Sequence, residues 1–448
     1  MEIIITELSR YFIIILMALY TFWGFAAFTA KKKKKKAKLY RKQRINMHIF
    51  LLLGHLILYL NTKDVIILGL YGCELVFFMV SNFLYRKIYG KINQPIINHI
   101  QMLSSISLVM LARLNIDSAK KQFAYLAAGM MVCVFLPWIL CRYHKLREEG
   151  WFYAVLGLII LLVVLFFGKA KYGAKNWLYI GPLSIQPSEF VKILFVFAFA
   201  SILSQLQFTM RNVVRVSAMA ASFVMVLVLE KDLGGALIFF LCYLFMLYVA
   251  TGRKRFLAAG FGAGAGAAVV GYHLFSHVRT RVLAWSDPWS DIDNKGYQIC
   301  QSLFAIGTGG WFGMGLMQGM PERVPIRESD FIFAAISEEL GALFGICMIL
   351  IYINCFLWFA SIATKVTNSF FKLSALGFSV ILMFQTFLTL GGVTKFIPST
   401  GVTLPLVSYG GSSVLSVIIM ICSLQSIHLI SEKEGEEIVQ KQEEGGEE

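Results

Sequence analysis

The chain has 448 residues, of which 58% are hydrophobic and only 15% are charged. A soluble domain cannot bury so large an apolar share, so the composition excludes an ordinary soluble enzyme and indicates a polytopic helical membrane protein. The net charge is +15, but the basic residues fall in short stretches between apolar runs, which is typical of loops that orient membrane helices and not of a nucleic-acid-binding surface. The eight Cys and seven His show no metal-ligand spacing, so no metal site is predicted.

About thirteen apolar stretches of roughly 17–25 residues are each long enough to cross a hydrocarbon core about 30 Å thick. The predicted spans are, in chain order, 11–29, 47–60, 65–84, 97–114, 123–141, 151–167, 190–206, 213–229, 234–250, 256–275, 331–359, 373–391 and 406–430.

Basic clusters follow alternate spans and therefore lie on one side of the membrane, the cytoplasmic side. These clusters lie within 31–44, 86–91, 142–147 (with His144 and Lys145), 253–255 and 365–372. This pattern places the carboxyl terminus inside and places the amino terminus and a long loop, 278–329, outside. The lysine run Lys31–Lys36 is predicted to be a cytoplasmic loop that touches anionic lipid. The acidic tail, 431–448, is predicted to be disordered.

Charged residues are costly at membrane depth and therefore suggest function, and here they gather at the predicted outer ends of four spans. They are Arg113, Glu189, Lys192, Asp232, Asp330, Glu338 and Glu339. Glu189 and Lys192 are three residues apart on one helix face, where they can pair. This convergence predicts a polar cavity open to the outer leaflet; interfacial charges that only reach to water are the alternative.

Two glycine-containing segments stand out in the predicted outer loops. The segment 309–315 lacks the GK[ST] ending of a phosphate-binding loop, so it predicts a re-entrant turn in which backbone passes close to backbone. In the second segment, 403–413, Gly410 and Gly411 precede a helix whose free N–H groups are suited to an anion such as a pyrophosphate.

An ordered series of short motifs resembles the SEDS family of bacterial peptidoglycan polymerases (FtsW, RodA, SpoVE). The matching pieces are Gly173-Ala174-Lys175-Asn176-Trp177, Gln186-Pro187-Ser188-Glu189-Phe190-Val191-Lys192, Asp232-Leu233-Gly234, Asp287-Pro288-Trp289, Gly296-Tyr297-Gln298, Gln301-Ser302-Leu303, Ser329-Asp330-Phe331, Glu338-Glu339-Leu340-Gly341, Leu404-Pro405 and Ser408-Tyr409-Gly410-Gly411. Any one piece is weak, whereas the series in this order is specific.

The resemblance implies an all-α membrane protein with a ten-helix core at 93–430 and a large outer loop between core helices 7 and 8. Residues 1–92 then form an amino-terminal extension with three further helices, and 431–448 form the tail. The protein is expected to be a multi-pass protein of the bacterial plasma membrane.

The resemblance also implies the reaction, which is polymerisation of lipid II through β-1,4 bonds with release of undecaprenyl pyrophosphate. Its essential aspartate lies six residues before the Tyr of the GYQ motif, at Asp291, which would act as the general base. Asp287 is a weaker candidate, and Ile292 stands where relatives often carry Pro. The candidate substrate-binding residues are Lys192, Glu189, Arg281, Gln298, Gln301, Ser302, Asp330, Glu338, Ser408 and Arg113.

Two other functions stay open at this point, a lipid II flippase and a non-catalytic scaffold of the division or elongation machinery. The expected partners are lipid II, the growing glycan strand, membrane lipids and a class B penicillin-binding protein, a transpeptidase. A cofactor is not evident, although a divalent cation, Mg²⁺ or Mn²⁺, is compatible with pyrophosphate release. A role in division, elongation or sporulation cannot be chosen from the sequence.

Overall fold

The computed structural model describes residues 2–142, 147–171, 174–181 and 183–444. Within these residues, thirteen helical segments are long and apolar enough to cross a membrane, which confirms the predicted all-α polytopic fold. His144 and Lys145 of the third basic cluster, Gly173 of the first matching motif and the tail residues 445–448 lie outside the described residues.

Three long helices precede the core: α1 (Glu2–Thr29), α2 (Lys33–Thr62) and α3 (Val65–Ile88). The interpretation of the lysine run as a loop was wrong, because α2 begins at Lys33 and includes most of the run. Lysine is a good helix former, and the side chains of Lys33 and Lys34 are exposed, so the run extends the helix beyond its apolar part.

The core follows as α4 (Gln94–Leu114), α5 (Ile116–Cys133), α6 (Leu136–Arg142), α7 (Gly150–Phe167), α8 (Pro187–Gln205), α9 (Met210–Leu229), α10 (Leu233–Thr251), α11 (Lys254–Leu274), α12 (Ser276–Ser286), α13 (Tyr297–Gly309), α14 (Ile332–Lys365), α15 (Ser369–Val393) and α16 (Gly411–Glu444). The helices α5 and α6 together form one predicted span. The most buried helices are α4, α8, α15 and α16, which form the centre of the bundle.

A small antiparallel sheet lies between α7 and α8. Its strands are β1 (Lys169–Lys171), β2 (Ala174–Ile180) and β3 (Leu183–Ile185), in the order β1-β2-β3. The backbone N–H of Lys175 donates to the carbonyl of Glu230, 2.8 Å away, which fastens the sheet over the connection between α9 and α10.

The long segment between α11 and α14, which is predicted to lie outside, is partly helical. It contains α12, a 3₁₀ turn at Pro288–Asp291, α13 and a second 3₁₀ turn at Pro321–Arg323. The amino-terminal end of α1 lies at the same end of the bundle, because Arg10 Nη1 donates to the carbonyl of Gly313 at 3.3 Å.

The close approach of backbone to backbone that is predicted for 309–315 is confirmed, and this segment packs against a kink in α14. Gly341 has φ +87° and interrupts the helical backbone. The N–H groups of Met314 and Gly315 donate to the carbonyls of Glu338 and Glu339 at 2.9 and 2.8 Å. A Cβ at Gly313 would overlap the carbonyl of Glu339, so the two backbones touch where only glycine fits.

Replacing Gly341 by alanine is expected to lower the melting temperature of the detergent-solubilised protein markedly. The backbone region that Gly341 occupies is nearly restricted to glycine and costs other residues about 1–3 kcal/mol, and a Cβ there would also overlap Gly313 N. The matched control is Gly307→Ala on α13, where a Cβ meets open space. Equal melting temperatures for the two variants would contradict the close packing at the kink.

The last helix extends into the segment that is expected to be disordered. α16 continues through Glu444, past Ser431, where the predicted tail begins. The tail is rich in Glu, Lys and Gln, which are good helix formers and therefore favour continuation of a preceding helix.

Candidate functional site

A buried ion pair lies near the start of α8. Lys192 Nζ is 2.9 Å from Glu189 Oε2, so the predicted pairing of these residues is confirmed. Lys192 also donates to Gln385 Oε1 at 3.0 Å, and the Ser416 hydroxyl donates to Glu189 Oε2 at 2.8 Å. These partners satisfy both charges, which is what permits a pair to remain buried in the bundle.

Asp232 lies at the start of α10 and lines the same small cavity as this pair. Its side chain caps the helix by accepting from Gly235 N at 2.8 Å, and it accepts from Asn176 Nδ2 at 3.0 Å. Burial raises the pKa of Asp232, and these two hydrogen bonds oppose that shift. The cavity measures about 30 Å³, enough for one water molecule and too small for a diphosphate.

Arg281 and Asp330 lie close to Gly401, which lines this cavity. A Cβ built on Gly401 would be 3.7 Å from Asp330 Oδ2 and 3.9 Å from Arg281 Nη2. Burial raises the pKa of Asp330, and the charge of Arg281 opposes the rise. Burial lowers the pKa of Arg281, and the carboxylates of Asp232 and Asp330 oppose that shift. The half-buried guanidinium group of Arg281 therefore lies in the field of two half-buried carboxyl groups, those of Asp232 and Asp330.

A much larger cavity, of about 800 Å³, lies between α13, the glycine-rich segment and the start of α14. Its lining includes Tyr297, Gln301, Phe304, Thr308, Met314, Gln318, Arg323 and Glu338. Glu338 Oε1 accepts from Met320 N at 2.9 Å, and within the described part of the chain its Oε2 has no hydrogen-bond partner. Aromatic faces, amides and one charge of each sign suit a bulky polar ligand.

Asp291 ends the first 3₁₀ turn and is partly exposed. Its Oδ1 accepts from Asn294 Nδ2 at 2.9 Å, and its carbonyl accepts from Gly296 N at 2.9 Å. A Cβ at Gly296 would overlap the carbonyl of Pro288, so glycine permits this tight loop. The next residue, Tyr297, lines the large cavity. The loop therefore holds Asp291 six residues before a residue of the cavity wall, and Asp291 itself is not among the residues that line the cavity.

Two predicted substrate-binding serines fasten backbone segments. The Ser302 hydroxyl donates to the carbonyl of Val393 at 2.8 Å. The Ser408 hydroxyl donates to the carbonyl of Ser329 at 2.6 Å and accepts from Leu404 N at 2.8 Å. Their contact with substrate stays a prediction.

Arg113 is engaged by protein groups rather than free for a ligand. Its Nε donates to Glu339 Oε1 at 2.9 Å and its Nη1 to Glu322 Oε1 at 3.0 Å. Nη2 reaches the carbonyl of Gly319 at 3.4 Å. Arg113 thus ties α4 to the kink of α14 and to the second 3₁₀ turn. Of the remaining candidates, Gln301 lines the large cavity, whereas Gln298 lies exposed on α13 outside it.

The structure adds residues that the sequence did not single out. Arg323 is an exposed cation in the lining of the large cavity, but in the sequence it is one of several charges in a loop. Gln385, the partner of Lys192, is a polar residue inside an apolar span, and this position was a usable signal.

Glu230, which follows α9, is fully buried, and among the described residues its carboxyl oxygens have no hydrogen-bond partner. Burial, with the neighbouring Asp232, raises the pKa of Glu230 to about 8. A raised folded-state pKa gives stability that is full below the unfolded-state pKa, about 4.3, and is lost as the pH rises through 8.

As the pH rises from 5 to 9, the melting temperature of the wild type should therefore fall relative to that of Glu230→Gln, because glutamine never ionises. Thermal unfolding of both proteins across this range checks the expectation. A difference that does not change with pH would show that Glu230 does not titrate with a raised pKa.

The fold and the polar cavities at one end of the bundle define a multi-pass membrane protein. Its candidate site is formed by the segment between α11 and α14 and by the starts of several helices. The sequence model of the family described as "Cell cycle protein", covering FtsW, RodA and SpoVE, matches residues 95–433. The chain belongs to this family.

Among its relatives, a Mycobacterium tuberculosis protein named peptidoglycan glycosyltransferase RodA is 35% identical over 356 residues, which cover 73% of this chain and 76% of the relative. The stage V sporulation protein E of Bacillus subtilis is 31% identical over 322 residues, covering 69% and 86%. A solved peptidoglycan synthase complex contains a chain that matches the fold with a TM-score of 0.66 at 24% identity, covering 76% of this chain and 98% of that one.

Proposed function

We propose that this protein is a peptidoglycan glycosyltransferase that polymerises lipid II into glycan strands with release of undecaprenyl pyrophosphate. The observation that carries the proposal is a cavity of about 800 Å³ lined by Tyr297, which follows Asp291 by six residues, in a chain of this family. The relatives' names, peptidoglycan glycosyltransferase RodA and FtsW, support the same activity.

In the proposed reaction, the oxygen of the acceptor sugar hydroxyl attacks the anomeric carbon of the donor, and the Asp291 carboxylate takes the proton of that hydroxyl. The new C–O bond forms while the bond from that carbon to the pyrophosphate oxygen breaks, so the pyrophosphate leaves with the electron pair. A single base suffices for this displacement, which inverts the anomeric carbon and gives the β-1,4 bond.

The leaving pyrophosphate develops negative charge and requires positive charge near it. Arg323 is the best-placed cation, because it is exposed and lines the large cavity. Lys192 lies buried in the small cavity and Arg281 lies half-buried beside it. We propose that both cations act through their electric field rather than by direct contact with the pyrophosphate.

The described residues contain no group of three His, Cys, Asp or Glu side chains arranged to hold a metal ion. We therefore propose that any divalent cation enters with the pyrophosphate-bearing substrate.

The large cavity and the outer segment are proposed to face the extracytoplasmic side of the bacterial plasma membrane. With this orientation, the sugars meet the water-facing loop while polyprenyl tails stay in lipid. The amino terminus then lies outside and the carboxyl terminus inside. We also retain the division into an extension at 1–92, a catalytic core at 93–430 and a tail at 431–448.

A class B penicillin-binding protein is the proposed partner. The solved peptidoglycan synthase complex is described as coordinating polymerization and crosslinking, which supports pairing of a polymerase of this fold with a crosslinking enzyme. The relatives include RodA, FtsW and a sporulation protein, so division, elongation and sporulation all stay within the proposal.

The proposal is tested by incubating the purified detergent-solubilised protein with lipid II, with and without a candidate transpeptidase, and separating the products by gel electrophoresis. Glycan polymer is the expected product. If polymer fails to form even with the partner, while liposomes containing the protein translocate lipid II, the flippase alternative replaces this one. If neither activity occurs, the scaffold alternative gains support.

A further inference from the structure

The first three helices precede the family match, which begins at residue 95, yet α1 contacts the segment 311–315, whose Met314 lines the large cavity. Arg10 Nη1 donates to the carbonyl of Gly313 at 3.3 Å. The ring of the next residue, Tyr11, lies 5.6 Å from the ring of Phe312, centroid to centroid. Both contacts fall on the segment 311–315.

This segment forms part of the cavity wall and supports the carboxylates beside it. Met314 lines the cavity, and its N–H donates to the carbonyl of Glu338, whose side chain also lines it. The stretch 309–315 contains four glycines, so its ordering costs more conformational entropy than that of ordinary chain. A contact from another helix that holds this segment therefore strongly affects how often the cavity adopts its observed shape.

Buried polar contacts fix α1 against the core at a defined height. The Tyr20 hydroxyl is 3.2 Å from His99 Nδ1 on α4, and His99 Nε2 is 2.8 Å from Asn354 Oδ1 on α14. The Thr21 hydroxyl reaches the carbonyl of Cys347 on α14 at 3.4 Å. Interhelical hydrogen bonds of this kind specify how membrane helices pack. Arg10 lies about 15 Å along α1 from Tyr20, so these bonds also fix the position at which Arg10 meets Gly313.

Arg10 itself is held in position by its neighbours on α1. Its guanidinium is 3.0 Å from Glu7 Oε2, one turn away, and lies 4.8 Å from the centroid of the Tyr11 ring. A guanidinium oriented in this way keeps a donor directed at the Gly313 carbonyl.

We propose that α1 is a built-in positioning element for the glycan-binding cavity. Arg10 and Tyr11 hold the segment 311–315 in the conformation that shapes the cavity, and they do so without touching the substrate. The inference rests on the proposed glycosyltransferase function, because it assigns the large cavity to the lipid II sugars or the growing strand. It gives the extension a role that the family match does not cover.

The test compares the double variant Arg10→Ala/Tyr11→Ala with Phe12→Ala in the full-length protein. Phe12 is an exposed aromatic residue next to Tyr11, so its loss controls for the removal of a large side chain from α1. For the double variant, we expect the KM for lipid II to rise about two- to tenfold, with kcat little changed, as one hydrogen bond and one ring contact imply. The conservative variant Arg10→Lys/Tyr11→Phe should restore most of the affinity.

Hydrogen exchange of the peptides that cover 309–315 gives a readout that does not depend on polymerisation. The amides of Met314 and Gly315 should exchange faster in Arg10→Ala/Tyr11→Ala than in the wild type and Phe12→Ala. Unchanged exchange and unchanged KM in the double variant would overturn the role of α1. If the wild type makes no polymer, the proposed function fails, and exchange alone decides whether α1 holds this segment.

Discussion

The substitution Asp291→Asn is expected to abolish polymerisation while the protein stays folded and membrane-inserted. Asparagine keeps the shape of the side chain, and its carbonyl oxygen can still accept the hydrogen bond that Asn294 Nδ2 donates to Asp291 Oδ1. It cannot take a proton from the acceptor hydroxyl. Loss of a general base slows a reaction by about 10²–10⁴-fold, so product formation should fall below detection in a standard gel assay.

The matched control is Asp293→Asn, two residues further along the same loop. Asp293 is exposed, so removing its charge changes the local field similarly without removing the proposed base. We expect near wild-type polymer from this variant and normal binding of lipid II by Asp291→Asn. Wild-type polymer yield from Asp291→Asn, or an equal loss in both variants, would refute the assignment of Asp291 as the base.

The spans and the Glu189–Lys192 pair could be predicted because both depend on local sequence. Apolar runs of sufficient length form helices in lipid, where backbone groups must be satisfied internally. Residues three apart on a helix share a face, and these two meet at 2.9 Å. The start of α2 was missed for a local reason as well, since helix propensity extends a helix into a lysine run that hydropathy assigns to a loop.

The cavities could not be predicted, because their walls join residues that are far apart in the sequence. Arg113 meets Glu339 across 226 positions, and Lys192 meets Gln385 across 193. A single sequence contains no pattern that specifies such pairs. Sequence reasoning therefore placed the charges at one end of the bundle but did not separate those that fasten helices, such as Arg113, from those that line a cavity, such as Arg323.

For Asp291, the resemblance and the structure contribute different information. Its candidacy came from the resemblance in the GYQ region, since exposed carboxylates in a loop are otherwise common. The structure adds that a tight loop closed by Gly296 joins Asp291 to Tyr297, a residue of the cavity wall. The role of Asp291 as a base therefore rests on the resemblance, and the substitution above tests it.

Substitution of Lys192 is also expected to reduce polymerisation strongly. At this position, activity lost through unfolding must be distinguished from activity lost because a functional charge is missing. Removing the lysine alone leaves Glu189 buried with the Ser416 hydroxyl as its remaining polar contact in the described structure. An uncompensated buried charge costs about 3–5 kcal/mol, so Lys192→Met should unfold readily and lose activity for that reason alone. Inactivity of this variant would therefore not identify a functional role.

The double variant Glu189→Gln/Lys192→Met removes both charges and should recover a melting temperature near that of the wild type, since neutral replacement of a buried pair is often tolerated. If Lys192 stabilises the charge on the leaving pyrophosphate, the folded double variant should still polymerise at least about tenfold more slowly, because a cation in a low-dielectric bundle acts over a distance. Asp232→Asn should have a smaller effect, since asparagine also caps a helix start. A double variant with wild-type polymerisation would make the pair purely structural and leave Arg323 and Arg281 to stabilise the leaving group.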